Sequence, residues 1–401
     1  MTKVFFYKEI ILYLILLFPA TILTGPALPE IFKFLIIIFF FLSVLEEKKK
    51  ILFNIPSVIF YIFILILLLS ALYSDYKINY SSTIFYIRHW WLVLAIIYIL
   101  GENRFYKKFS KVLIFIFLFS VFDGFFQYIV GKDIFFNEPK DPNIITGPFN
   151  DKRLGSYIAR LLPLYLIFFS EIDNKKKYLN LFFFSHFLII FTVLLTRERV
   201  AIFFTIFIIF FYYLINLNLK NFIRVCLILF FITLALIFHH PFKENYITNT
   251  YKQINTGNYF WSKTHLTYVI TSYDIFKKNI FLGAGPNSYR FECQNTPNIK
   301  LENKCNTHPH NFLFQLMAEL GLLGLCFYLC VYVFFLYLLI KKIAEKYLYK
   351  TNTNTDLLLL IAILFNFNPI FPSGNFFSSW LNNLLYMPIA ILLIKKKYKK
   401  V

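Results

Sequence analysis

Charge is scarce in this chain of 401 residues: Asp, Glu, Lys and Arg together make up 15% of it. A soluble chain of this length needs more polar surface, so the scarcity excludes an ordinary globular protein. Acidic residues are the scarcer sign, 21 against 41 Lys and Arg, which gives a formal net charge of +20. No basic face and no nucleic-acid motif accompanies that charge, so nucleic acid is not an expected partner. The 5 cysteines include no CxxC pair, which removes zinc-ribbon and thioredoxin-like readings. No small-residue cleavage site follows the first apolar stretch, so that stretch reads as a retained spanning helix and not as a signal peptide. Internal repeats of short period are absent as well.

What the chain has in excess is hydrocarbon. It is 59% hydrophobic, with 54 Phe and 28 Tyr, and its mean hydropathy is +0.63. A helix of about 20 apolar residues crosses a bilayer, and by that length the runs 9–24, 29–45, 52–73, 81–100, 109–130, 155–170, 178–195, 199–217, 221–239, 313–340, 355–372 and 378–394 give about twelve spans. The expected fold is therefore an all-α polytopic membrane protein. Lysine clusters alternate along it: Lys48-Lys49-Lys50, Lys107 and Lys108 with Arg104, Lys175-Lys176-Lys177, Lys220 with Arg224, Lys341-Lys342 with Lys346, and the tail Lys395-Lys396-Lys397-Tyr398-Lys399-Lys400. The gaps Thr24–Glu30, Ser74–Tyr80 and Phe371–Asn375 are nearly free of lysine. The positive-inside rule then puts the clusters and both termini on the cytoplasmic side.

Two gaps on the opposite side are long, Gly131–Leu154 and His240–Phe312. Long loops are functional or disordered more often than short ones. The second contains Phe260, Trp261, Tyr268, Phe276 and Phe281, and is expected to fold against the membrane domain. Three parts follow: residues 1–239 with nine spans and short loops, residues 240–312 as one large outer loop, and residues 313–401 with three spans and a basic tail.

Arginine is distributed differently from lysine. Arg88, Arg153, Arg160, Arg197, Arg199 and Arg290 all fall on the outer side of this topology, against the usual bias. Guanidinium suits phosphate, and ionisable groups near hydrocarbon need a reason. One reading is an outward-facing site for a phosphate-bearing lipid, and the other is snorkelling to headgroups. Thr196-Arg197-Glu198-Arg199-Val200 reads as a tight hairpin at the surface, with Glu198 neutralising one arginine. His308-Pro309-His310-Asn311 opens the span that starts near Phe312. A histidine there fits a general base or a hydrogen-bonding role; no carboxylate or cysteine pattern completes a metal site. Gly283-Ala284-Gly285-Pro286-Asn287 reads as a tight turn, without the strand–helix context of a dinucleotide fold. Cys293 and Cys305 share the outer loop, and two readings stand, a disulfide or two free thiols. Cys226, Cys326 and Cys330 read as small buried apolar residues.

Taken together these residues resemble the O-antigen ligases and related polysaccharide polymerases. His310-Asn311, nine residues, Gly321, two residues and Gly324 match the pattern H-N-x9-G-x2-G, placed as in that family between the large loop and the next span. The Arg199 hairpin is similar to the family's G-E-R segment, with Arg197 in the glycine position. Gly147-Pro148-Phe149, Gly155-Ser156-Tyr157 with Arg160, and the run from Gly283 through Gly285 to Arg290 also look like family positions. The resemblance covers most of the chain from about Arg88 onward. It implies a GT-C-like fold and an undecaprenyl-pyrophosphate-linked glycan donor. It also implies a bacterial inner-membrane location, a periplasmic site and no metal or other cofactor. His310 would be the base and Arg199 a pyrophosphate contact, with His308 and Asn311 in support and Arg160 and Arg88 as further phosphate contacts. The stretch that carries the family's second arginine has Lys263 and His265 here, which leaves His265 and Arg290 as candidates. The acceptor would be lipid A-core for a ligase, or a growing glycan for a polymerase. A lipid-linked oligosaccharide flippase is the reading from another class, disfavoured because the polar groups lie at the outer edge and not at mid-membrane.

Overall fold

A computed structural model describes residues 3–47, 51–76, 80, 83–172, 178–215, 218–255, 262–296 and 305–398. The clusters Lys48–Lys50 and Lys175–Lys177, the aromatics Phe260 and Trp261, and Lys399 and Lys400 lie outside the described residues. Among the described residues there is no strand. Long helices follow one another as α1 (Lys3–Thr21), α2 (Ala27–Glu47), α3 (Ile55–Leu72), α4 (Arg88–Leu100), α5 (Asn103–Val130), α6 (Leu154–Ser170), α7 (Leu179–Leu195), α8 (Arg199–Ile215) and α9 (Leu219–Phe238). After the long loop, which carries α10 (Lys263–Lys278), come α11 (Phe312–Tyr349), α12 (Asn354–Asn366) and α13 (Ser379–Tyr398).

In hydrocarbon a backbone must satisfy its own polar groups, which is why these apolar runs coil as helices. At α3, α9 and α11 the exposed first turn is closed by an asparagine side chain. Asn54 Oδ1 accepts from Ser57 N at 2.9 Å, Asn218 Oδ1 from Asn221 N at 2.9 Å, and Asn311 Oδ1 from Phe314 N at 3.2 Å. The protein is a polytopic helical membrane protein. Among the described residues, six helices are long and apolar enough to cross a membrane: α1 with its following turn, α2, α3, α5, α9 and α11. The expected count was about twelve on the same length argument. Helices α6, α7, α8 and α12 are apolar but have 13 to 17 residues, because polar turns such as Thr196–Glu198 and Lys350–Thr353 cut the apolar runs short.

The core runs the length of the bundle around α6, whose Tyr157, Ile158, Leu162, Leu164, Leu166 and Ile167 are wholly buried. Helices α9 and α11 stand at the edge instead. Cys226, Cys326 and Cys330, expected to be buried, are exposed on these two helices, since nothing in the bundle covers their outer faces.

The bundle has two chemically distinct ends. At one, Lys8 of α1 pairs with Glu47 of α2 at 2.8 Å and with Glu102 before α5 at 3.6 Å, and Lys395 of α13 reaches Glu171 after α6 at 2.8 Å. The other end gathers the start of α2, the start of α4, the 196–198 hairpin, His310 and the segment 368–376. The 131–154 loop is tied there too: Asp123 Oδ1 accepts from Ile134 N at 2.7 Å, and Gln127 Oε1 accepts from Thr146 N and Gly147 N at 2.8 Å each.

Candidate functional site

The long loop is held on the bundle by glycine. Helix α11 breaks at Gly321, where φ is 62° and ψ is −155°, a conformation open almost only to glycine. Into that break comes the 280–285 turn, in which Gly283 has φ 69°. Backbone meets backbone: Ala284 N donates to Ala318 O at 3.1 Å, Gly285 N to Glu319 O at 2.9 Å, and Leu322 N to Ile280 O at 2.7 Å. A Cβ on Gly321 would sit 2.6 Å from Gly283 N, and a Cβ on Gly283 would sit 2.4 Å from Glu319 C. Gly324 has the side chain of Leu320 where its Cβ would be, at 2.2 Å. Phe281, expected to help pack the loop, is 69% exposed; its backbone makes the contact in place of its ring.

Helix α10 lies along α11, joined by a small core of Tyr268, Ile275, Ala284, Tyr289, Cys293 and Ala318. Cys293 and Cys305 are disulfide-bonded, with Cα atoms 5.2 Å apart. The bond delivers Asn306 to the histidines. Asn306 Nδ2 donates to Tyr268 OH at 3.1 Å and lies 3.0 Å from His310 Nε2. Tyr268 stacks on the His310 ring with centroids 5.4 Å apart, His308 lies at 4.1 Å, and His265 at 6.3 Å. Neither Tyr268 nor Asn306 was expected from the sequence. Burial, and then the neighbouring His265, hold the His310 ring below the usual histidine pKa. Burial and His310 push His308 further down, to about 3. Both rings are neutral at physiological pH, and His310 is available to accept a proton.

His310 itself has φ 53°, and its carbonyl accepts from Ser373 N at 2.8 Å. Asn311, besides capping α11, donates from Nδ2 to Pro369 O at 2.9 Å. The 368–376 segment, which reads in the sequence as a plain short gap, is therefore what fixes the histidine's backbone. It also carries polar contacts into the bundle. Gln315 Nε2 donates to Asn375 Oδ1 at 2.8 Å and to Glu319 Oε2 at 3.0 Å, and Asn375 Nδ2 donates to Asn287 Oδ1 at 3.2 Å. Asn311, Gln315 and Glu319 recur every four residues, one face of a helix, and that spacing was the available signal for them.

Arg199 opens α8 on the other side of this segment. Phe203, one turn below Arg199, and Phe204 pack on Phe371 with ring centroids 5.0 and 5.8 Å away. The hairpin is anchored through Glu198, whose carboxylate accepts from Gly155 N at 2.8 Å and Ser156 N at 3.0 Å, at the start of α6. Glu198 was expected to neutralise an arginine of its own hairpin. The neighbour that draws on it most is Arg160, while burial raises its pKa to about 7. A Cβ on Gly155 would lie 2.5 Å from Thr196 Oγ1, so the glycine lets the hairpin settle there. Arg160 is buried in α6 and donates from Nη1 to Ser156 Oγ at 2.8 Å. From the long loop, Tyr246 OH donates to Leu194 O at 2.9 Å and roofs the hairpin.

The remaining two arginines expected to contact phosphate are elsewhere. Arg88 and Arg290 line a single cavity of about 810 Å³ with Glu30 and Asn287, and none of Arg160, Arg197, Arg199 or His310 lines it. The expected phosphate contacts thus fall into two groups around His310, Arg199 with Arg160 beneath it, and Arg88 with Arg290.

No individual curated protein matches this chain. Residues 184–329, which run from α7 through the hairpin, the long loop and the His310 motif to the middle of α11, match the family model described as O-Antigen ligase. That match, over about a third of the chain, supports a place in the O-antigen ligase family.

Proposed function

We propose that this protein is a metal-independent glycosyltransferase that moves a glycan from undecaprenyl pyrophosphate to a lipid A-core acceptor on the periplasmic face of the bacterial inner membrane. The observation that supports it most is His310. It is a neutral, half-buried imidazole at the head of α11, stacked on Tyr268 and held by Asn306, at the same end of the bundle as the Arg199 hairpin. With Asn306 Nδ2 donating to it, Nε2 carries no proton and is the basic nitrogen. An acceptor hydroxyl takes Asn306's place there and gives its proton to Nε2. The hydroxyl oxygen bonds the anomeric carbon as the bond from that carbon to the phosphate oxygen breaks. The pyrophosphate leaves with the electron pair, and Arg199 meets its charge.

This reading has twelve spans in a GT-C-like arrangement, both termini in the cytoplasm, and residues 240–312 outside. It rests on the lysine alternation and on α4, α6, α7, α8 and α12 crossing as shorter helices, together with α13, beside the six long ones.

The deciding experiment is lipopolysaccharide analysis of a deletion strain. Core with no attached chains is the expected result. Core carrying single repeat units would replace the ligase with a polymerase that extends a growing glycan, and unchanged lipopolysaccharide would sink both.

A further inference from the structure

The cavity beside Arg88 is a trough between α2, α4 and the 287–291 segment. Its walls are mostly carbon, with Phe34, Leu35, Trp91 and Phe291 among them. Ile31, Phe34 and Phe85 are 55%, 65% and 61% exposed, so the trough opens sideways onto the flank of the bundle, where lipid chains run. Its polar groups collect at one end, the end that also holds His310.

The charges at that end do not balance. Glu30 Oε1 lies 2.6 Å from Lys33 Nζ, and Glu30 Oε2 lies 2.9 Å from Arg88 Nε. Lys33 is fully buried, and Ser379 Oγ accepts from its ammonium at 3.0 Å. Two cations share one carboxylate, which leaves one positive charge. Arg290 adds another; it bears on the buried carboxyl of Glu319, but it is in no ion pair among the described residues. Excess positive charge beside hydrocarbon is costly until an anion completes it. Guanidinium pairs have the geometry for phosphate oxygens.

The trough is also connected to the reacting centre. Asn287, on its wall, is bonded to Asn375 in the segment that holds the His310 backbone. Arg290 stands near enough to His308 to bear on its charge. A transfer between two lipid-borne substrates needs two docking sites that converge on one base, and the structure has an arginine group on either flank of the 368–376 segment.

We propose that this trough seats the phosphorylated glycolipid that accepts the glycan, with Arg88 and Arg290 on its phosphate and an acyl chain between α2 and α4. The donor pyrophosphate is held apart from it, at Arg199. The proposal rests on the glycosyltransferase reading for its second substrate, and its test separates the two.

The full chain is reconstituted in nanodiscs and assayed with a lipid-linked glycan donor and rough-type lipopolysaccharide as acceptor, each varied in turn. Arg290→Gln and Arg88→Gln should raise the acceptor concentration for half-maximal rate roughly tenfold, as loss of a charged hydrogen bond implies, and leave the donor's unmoved. Acceptor stripped of its phosphates should show no difference between wild type and variants. In native mass spectrometry the lipopolysaccharide adduct should be lost in Arg290→Gln, with the undecaprenyl pyrophosphate adduct retained. A shift in the donor's half-saturation, or loss of its adduct, would make the trough the donor site. No change in either lipid would remove it as a substrate site. Arg290 is exposed, so its variant carries the test if Arg88→Gln disturbs the Glu30 cluster. A wild type that transfers nothing to lipopolysaccharide sinks the ligase reading, while the adducts still decide the trough.

Discussion

At the scale of the residue, His310 has two properties to test, its basicity and its protonation range. A sugar hydroxyl is a poor nucleophile at neutral pH, and removing a positioned base costs on the order of 10² to 10⁴ in rate. His310→Ala should therefore abolish detectable transfer from a purified lipid-linked donor while the protein still inserts, and His308→Ala should do less. Near-normal transfer by His310→Ala would end the assignment. The acid side of the pH profile adds a second check. Burial and His265 lower the His310 pKa, and a base works only when unprotonated. Transfer should stay level as pH falls through 6.5, the ordinary histidine value, and fail only below it. His265→Asn removes the neighbouring imidazole, whose charge when protonated holds His310 down, and should move that failure to higher pH. A profile that falls at 6.5 in the wild type, or does not move in the variant, contradicts this. On the far side, Arg199→Lys should fail in the same assay, because lysine keeps the charge and loses the two-pronged contact. His310 was legible in the sequence because its spacing to Gly321 and Gly324 is a pattern within one stretch of chain. Tyr268 and Asn306 were not, since they reach the ring through folding of a loop and belong to residue types too common to single out.

At the scale of the element, α11 and the 280–285 turn behave as one joint. Gly321→Ala places a Cβ 2.6 Å from backbone atoms of that turn and asks a side-chain residue to hold φ 62°. Strain of this kind costs on the order of 1–3 kcal/mol by itself, and the clash with backbone adds to it. The variant's melting temperature in detergent should drop by several degrees, and loss of α10 from α11 should cost activity as well. A melting curve equal to wild type would show that the joint yields freely. The Cys293–Cys305 bond closes a short loop on the same assembly. A loop of this size is worth about 3 kcal/mol of chain entropy, so Cys305→Ser should loosen α10 and lower transfer. Non-reduced peptide mapping of the protein from its native membrane should find the two joined, and free thiols at both would refute it. The helices themselves were readable from apolar runs, and their ends less so. The sequence shows where a run stops being apolar, whereas the structure stops α7 where Glu198 swings back to cap α6.

At the scale of the molecule, the separation of two ends is the feature from which orientation follows. Lysine pairs such as Lys8–Glu47 and Lys395–Glu171 mark one end, and His310, Arg199, Arg88 and Arg290 gather at the other. Reporter fusions at Lys396 should read cytoplasmic and one at Asn295 periplasmic. A cytoplasmic reading at Asn295 would put the site on the wrong side for a periplasmic acceptor. The lysine alternation is the sequence feature that carries this proposed sidedness, because loop charge survives as a one-dimensional signal. The grouping of arginines did not survive so well. Arg88 and Arg290 are about half the chain apart, and only folding shows that they share a trough from which Arg199 is excluded.

If His310 is the base, the bond between Cys293 and Cys305 would also set when the protein becomes competent. It closes in an oxidising compartment and stays open in a reducing one, and Asn306, which steadies the base, is the next residue after Cys305. A chain still on the synthesis side of the membrane, or inserted upside down, leaves that asparagine untethered and His310 unsupported. In the proposed topology, export of the loop would then be a step in building the site, and a chain whose loop has not crossed the membrane would lack this fastening.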